Sequence, residues 1–188
     1  MKQYYFLSDP HFFHKNVIQY SNRPFHNVDE MNWAIINNIN EIVKPDDELY
    51  ILGDFIFGSV ERAEEILSVI VCKNLHYIFG NHDRDMDDPR LKRFFKSMGP
   101  YKEIKVPDEK GGSQMIVLCH YPILEWNKGH RGSWMLHGHC HGNLKYPDTL
   151  KNKRITDVGV DCWNYKPVSY SQLKSLFKKC EDITHHGD

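Results

Sequence analysis

At 188 residues, with 40% hydrophobic and 26% charged side chains, the chain is long enough for one domain with a real core and too apolar for disorder. Its formal net charge of -1 excludes a global field that would gather nucleic acid or an anionic membrane, although bound metals could make one site locally positive. Five cysteines without a C-x-x-C pair, no secretory apolar core before Asp9 and no run of membrane-spanning length predict a cytoplasmic protein.

In chain order, Tyr4 to Leu7 reads as a buried strand. Met31, Ile35, Ile39 and Ile42 recur at helical spacing, with Asn27 or Asp29 as N-cap. Leu49 to Leu52 is a second strand. Ala63, Ile66, Leu67 and Ile70 mark a second helix capped by Ser59. Leu75 to Phe79 is a third strand, and Asp88-Pro89 opens a third helix. This βαβαβα order implies a largely parallel sheet covered by helices. After Gly99 the texture turns to strands: Tyr101 to Val106, Gln114 to Cys119, Trp134 to His137 and Ile155 to Val160, with Gly111-Gly112 as the first turn. Pro122 to Ser133 reads as a loop. A last helix begins at Ser169, with a Ser169–Gln172 capping box and a Val168–Leu173 staple. No linker or repeat divides residues 1–188, so a single domain is expected.

Twelve histidines are many for this length. His185 and His186 only decorate a polar tail, but others fall just after apolar runs. Asp9 and His11 follow the first strand and Gly53-Asp54 the second. Gly80-Asn81-His82-Asp83 follows the third, His120 follows Cys119, and Gly138-His139-Cys140-His141 follows His137. Strand carboxyl ends are where α/β sheets build ligand sites, so five motifs can converge on one crevice. Each is weak alone. In extended chain His139 and His141 would point together and Cys140 away. Carboxylates, an amide carbonyl and imidazoles suit Mn, Fe or Zn rather than a thiolate zinc knot. A glycine before Asp54, Asn81 and His139 lets backbone approach closely.

The ordered set D-x-H, G-D, G-N-H-D, H and G-H-x-H resembles the calcineurin-like metallophosphoesterases, from Asp9 to His141. The resemblance implies an α/β fold, a four-layer α/β/β/α sandwich with two central mixed sheets. It implies two divalent metal ions, Mn foremost and Fe, Zn or Ni as alternatives. Asp9, His11, Asp54 and His141 would hold one ion. Asp54, Asn81, His120 and His139 would hold the other, with Asp54 bridging. His82 would face the substrate, steadied by Asp83. Cys119, where many members have glycine, and the apolar run Phe55-Ile56-Phe57 depart from the pattern without removing a ligand.

The charge of two divalent ions exceeds that of Asp9 and Asp54, so the site would attract a phosphoryl group. In-line attack by a hydroxide activated between the metals is the expected chemistry, with His82 stabilising the transition state or protonating the leaving oxygen. His14, Arg23 and Arg131 stand as candidate substrate contacts, each against an ordinary surface or loop role. Arg84 is by default a solvated charge. Trp126, Lys128, His130, Arg131 and Trp134 form either a substrate-recognition loop or a packed excursion. His137 reads as structural, His26 and His76 as incidental. Asp161 and Trp163 could support the crevice wall without assigned chemistry. A chain this small, without an inserted cap, favours phosphodiesters over phosphomonoesters, with nucleotides plausible for either. A non-catalytic scaffold is disfavoured by the complete ligand set, and a nucleic-acid module by the near-neutral charge.

Overall fold

Alternating side chains sort the strands' apolar residues onto two faces, and three clusters of buried residues result. The computed structural model describes residues 2–108 and 111–181; the tail histidines His185 and His186 lie outside them. In the first sheet, β1 (Tyr4–Leu7), β2 (Glu48–Ile51), β3 (Asn74–Ile78) and β4 (Phe95–Gly99) run parallel, and β9 (Val168–Ser169) pairs antiparallel with β1. In the second, β5 (Tyr101–Pro107) is antiparallel to β6 (Ser113–Cys119), while β6, β7 (Trp134–His137) and β8 (Ile155–Asp157) are parallel. Both sheets are therefore mixed, as expected.

Leu7, Leu49, Ile51, Leu75 and Tyr77 face outward from the first sheet and meet Met31, Ile35 and Ile39 of α2 (Val28–Ile42) and Ala63, Ile66 and Leu67 of α3 (Val60–Val69). Their neighbours Phe6, Tyr50, Leu52 and Ile78 face inward onto Ile116, Leu118, Trp134 and Leu136 of the second sheet. Leu173 and Phe177 of α5 (Tyr170–Phe177) join this inter-sheet core, behind the capping box of Ser169 and Gln172. Val117 and Met135 point to the far face, covered by Trp126, Leu150 and Tyr146 from loops and 3-10 turns. Among the described residues, no helix is long and apolar enough to cross a membrane.

Three local readings differ from the sequence expectation. The helix at Asp88-Pro89, α4 (Pro89–Lys92), has one turn, and β4 follows it where no strand was read. β4 is an edge strand without a fully buried residue, so its sequence lacks the apolar run that marks inner strands. A short helix, α1 (Val17–Tyr20), follows the first motif. The strand read to Val160 ends at Asp157, because the chain then leaves β8 to bind both sheets. Val158 N donates to His137 O at 2.7 Å, Ser8 N to Val158 O at 3.0 Å and Val160 N to Ser8 O at 2.9 Å. This stitch ties the end of β1 to the end of β7, which is where the sequence motifs lie.

Candidate metal centre

The motif loops are joined to one another by backbone hydrogen bonds. Asp9 N donates to Gly53 O at 3.1 Å, His11 N to Asp54 O at 3.0 Å and Gly138 N to His120 O at 2.9 Å. The loops sit so close that a Cβ on Gly53, at φ +89°, would lie 2.6 Å from both Gly80 N and His120 Nδ1. One on Gly138 would overlap the Ser8 hydroxyl and the Asp9 carboxylate. Asp9, His11, Asp54, His139 and His141 all adopt φ between 47° and 69°. Non-glycine residues there cost of order 1–3 kcal/mol each and persist only where their surroundings over-determine them.

Two groups of side chains result, each with ligand atoms within 4.8 Å of one another: Asp9, His11 and His141, and Asp54, His120 and His139. The two carboxylates are held alike. Asp9 Oδ2 accepts from His139 N at 2.9 Å, while Oδ1 is buried without a hydrogen-bond partner, 3.9 Å from His11 Nε2 and 3.8 Å from His141 Nε2. Asp54 Oδ1 accepts from His82 N at 2.9 Å, while Oδ2 lies 3.7 Å from His11 Nε2 and 3.5 Å from His120 Nε2. Asn81 Oδ1 stands 3.1 Å from His120 Nε2. A buried carboxylate oxygen without a donor is costly. Its position between imidazole nitrogens fits a divalent cation, and the oxygen–nitrogen donor set suits Mn, Fe or Zn.

The charges agree. Burial pushes Asp9 up to about 6, against the pull of His120 and His141, so this carboxylate gains from a cation. Burial also lowers His11 to about 3, which keeps its nitrogens free of excess protons. Burial opposes ionisation of Asp54, but its bond to His120 and that ring's charge bring it down to about 2. His120 rises to about 9 because Asp54 and Asp9 outweigh the effect of burial. Asp54 and His120 thus favour each other's charged forms.

The H-x-H motif works differently from its sequence reading. His139 and His141 are both left-handed and Cys140 N turns back onto Gly138 O at 2.8 Å. The two rings therefore do not point together but enter different groups.

Among the other sequence candidates, Arg23 is not a substrate contact. Its side chain is fully buried and every donor arm is engaged: Nε and Nη2 with Asp161, each at 2.8 Å, Nη2 with Asp9 O at 2.8 Å and Nη1 with Pro10 O at 2.9 Å. Asp161 in turn binds His141 Nδ1 at 2.7 Å. Asp161, to which no chemistry could be assigned from the sequence, thus orients a candidate ligand. Only its place after Asp157-Val158-Gly159-Val160 marked it. Asp157 holds the same region, accepting from Gly142 N at 3.0 Å and Gly159 N at 2.7 Å.

Arg131 is exposed in the turn Gly129–Arg131, and Gln114, at the opposite end of β6 from His120, binds Gly132 O. Seven residues of strand, roughly 20 Å, separate that end from the histidine, so Arg131 does not reach the centre. Trp126 packs on the outer face of the second sheet with Nε1 on Ser133 O, and Trp134 enters the inter-sheet core. The Trp126–Trp134 loop is a packed excursion. His14 does stand at the rim, its ring 5.3 Å from His11 and stacked 4.4 Å from Phe57. His82 is exposed, 5.7 Å from His11 between ring centroids.

Asp83 does not steady the His82 ring. Its carboxylate accepts from Gly80 N at 2.6 Å, Asp54 N at 2.9 Å and Phe55 N at 3.0 Å, which locks two motif loops together. His137 is buried with Nε2 on the Tyr146 hydroxyl at 2.6 Å.

The sequence profile of the calcineurin-like phosphoesterases matches residues 3–184. An uncharacterized protein of Methanocaldococcus jannaschii, MJ1445, is 34% identical over 183 residues, covering 95% of this chain and 93% of its own length. The gene 66 protein of Mycobacterium phage L5 is 26% identical over 200 residues and 94% of each chain. A crystal structure of a protein of unknown function from Aquifex aeolicus, AQ665, has the same fold, with a TM-score of 0.70 at 23% identity over 94% of this chain and all of that one. With its two mixed sheets and its two groups of potential metal ligands, the chain belongs to the calcineurin-like phosphoesterase family.

Proposed function

We propose that this protein hydrolyses phosphodiesters at a dinuclear metal centre. The observation that carries the reading is the matched pair of carboxylates, each with one oxygen tied to a neighbouring loop and the other presented to imidazole nitrogens. Asp9, His11 and His141 would hold one ion, and Asn81, His120 and His139 the other. Asp54 stands between them, with Oδ2 facing a histidine of each group. Mn is the favoured ion, with Fe, Zn or Ni as alternatives of similar ligand preference.

When bound, two divalent cations would supply a water acidic enough to deprotonate near neutral pH and would neutralise charge on the phosphoryl oxygens. The chain's own residues orient and move protons. The exposed His82 ring donates a proton to the leaving ester oxygen, while its backbone N–H, fixed on Asp54 Oδ1, keeps it at the rim. Asp83 acts at one remove, by fixing the Asp54 and Gly80 loops. The rim is open around His82 and His139, which leaves room for the second ester group of a diester.

The test is hydrolysis of a chromogenic phosphodiester and the matching monoester, with added Mn²⁺ and with chelator. The expected result is metal-dependent cleavage with a higher kcat/KM for the diester. A preference for the monoester would replace this reading with a phosphatase. Silence on both, from protein shown to hold two metals per chain, would replace it with a binding scaffold.

A further inference from the structure

Beside His82 the surface falls into a cleft of about 500 Å³, within the range of small-molecule sites. His82 and Asp83 line it, so it is continuous with the candidate centre. Ile56, Met86 and Leu91 form a buried apolar floor. Phe57 borders it with 53% of its surface exposed, although its ring is stacked on His14. A large apolar side chain held in place yet left open needs a partner more than a scattered surface residue does.

The charges of this wall are unbalanced. On the neighbouring surface Arg90 pairs with Glu61 and Asp88, and Arg93 with Glu64. Arg62 and Arg84, which line the cleft, have no carboxylate within ion-pair distance among the described residues. Arg62 lies folded over the Phe13 ring at 4.7 Å. Of the two acidic residues lining the cleft, Asp83 is engaged by three backbone N–H groups and only Asp85 remains. The cleft thus combines an aromatic face and an apolar floor with two uncompensated guanidinium groups.

We propose that this cleft is the subsite for the organic part of the substrate and that it takes a nucleotide. The base lies against Phe57, and a phosphate other than the one attacked rests on Arg62 and Arg84. Stacking on an aromatic ring is worth about 1–3 kcal/mol per base and tolerates any base, and guanidinium groups match phosphate oxygens in geometry and charge. An alkyl chain would fill the floor and leave both arginines without a counter-charge. The assignment rests on the phosphodiesterase reading for its catalytic meaning, but the binding can be measured without turnover.

The probe is adenosine 5′-diphosphate, titrated calorimetrically into the full chain, both Mn-loaded and chelator-treated, with octyl phosphate as the comparison ligand. Chelator-treated wild type is expected to bind the diphosphate. Arg62→Ala and Arg84→Ala should each weaken it about tenfold and Phe57→Ala severalfold. Phe57, Arg62 and Arg84 are exposed, and circular dichroism of each variant establishes that it is folded. Equal affinity in wild type and both arginine variants, or no binding without metal, overturns the subsite. Tighter binding of octyl phosphate, weakened by Phe57→Ala alone, overturns the nucleotide in favour of an apolar chain. Arginine-dependent binding together with absent Mn-dependent diester hydrolysis would uphold the cleft and sink the catalytic reading.

Discussion

The two ligand groups are built from the same parts but braced by different physics. Asp9, His11 and His141 are steadied by charge: the buried Arg23 grips Asp161, Asp161 grips His141, and Arg23 also holds the carbonyls of Asp9 and Pro10. Asp54, His120 and His139 are steadied by backbone. Leu52 O lies 2.7 Å from His120 Nδ1, and Asp83 clamps the N–H groups of Gly80, Asp54 and Phe55. A charged brace is strong but fails abruptly when one partner is lost, because the other is left buried and unpaired. A brace of several backbone bonds fails by degrees.

Four substitutions test that contrast, and a fifth, at His76, gives a reference away from the centre. The largest effect is expected at Asp54, the one carboxylate that faces both groups. Asp54→Asn should lower diester kcat/KM on the order of 10³-fold or more, equivalent to several kcal/mol of lost charge stabilisation. Metal analysis should find less than one ion per chain, and two retained ions would remove Asp54 from between the sites. Next, Arg23→Met leaves the buried Asp161 without its guanidinium, with only His141 beside it, and should cost roughly 3–5 kcal/mol, read from the urea midpoint. A loss below about 1 kcal/mol would mean that the charged brace is not structural. Asp161→Asn leaves the buried Arg23 without its counter-charge, so it should cost stability of the same order as Arg23→Met and weaken metal affinity by roughly 10–100-fold as well. Asp83→Ala leaves three backbone donors without their acceptor and should cost about 1–3 kcal/mol. If it matched Arg23→Met, the distinction between the two braces would disappear.

The smallest effect lies away from the centre, at His76. Its ring sits between Ser97 Oγ and Glu48 Oε2, each at 2.7 Å, and stacks 4.3 Å from Tyr50. Burial holds it below its ordinary 6.5, although Glu48 pulls the other way. The unfolded chain therefore binds the extra proton first, and stability falls as pH drops through 6.5 towards the folded value. His76→Gln should flatten that slope by less than about 1 kcal/mol. An unchanged profile of urea midpoint between pH 7.5 and 5.5 would show that His76 does not contribute.

Much of the centre was legible because polar residues placed directly after apolar runs must emerge at strand ends, and parallel strands bring those ends together. The five motifs follow that rule. The expected shared direction of His139 and His141 did not, since alternation applies to extended chain and both residues are left-handed. Arg23 was opaque for another reason. Its decisive partner, Asp161, lies 138 residues away, and a loop arginine beside a proline carries no local sign of burial. Phe95 to Gly99 was missed as a strand because an edge position removes the apolar pattern by which strands are read. Asp83 sits beside His82 in the chain, yet its carboxylate folds back onto backbone donors of two loops.

The sequence by itself determined which side chains have ligand chemistry and that they stand at the ends of strands, because donor type and hydrophobic periodicity are local properties. Only the tertiary structure decided which arginine is buried as a brace and which two arginines are left facing a cleft. Those outcomes depend on partners contributed by distant segments, and on whether each charge finds one once the chain is packed.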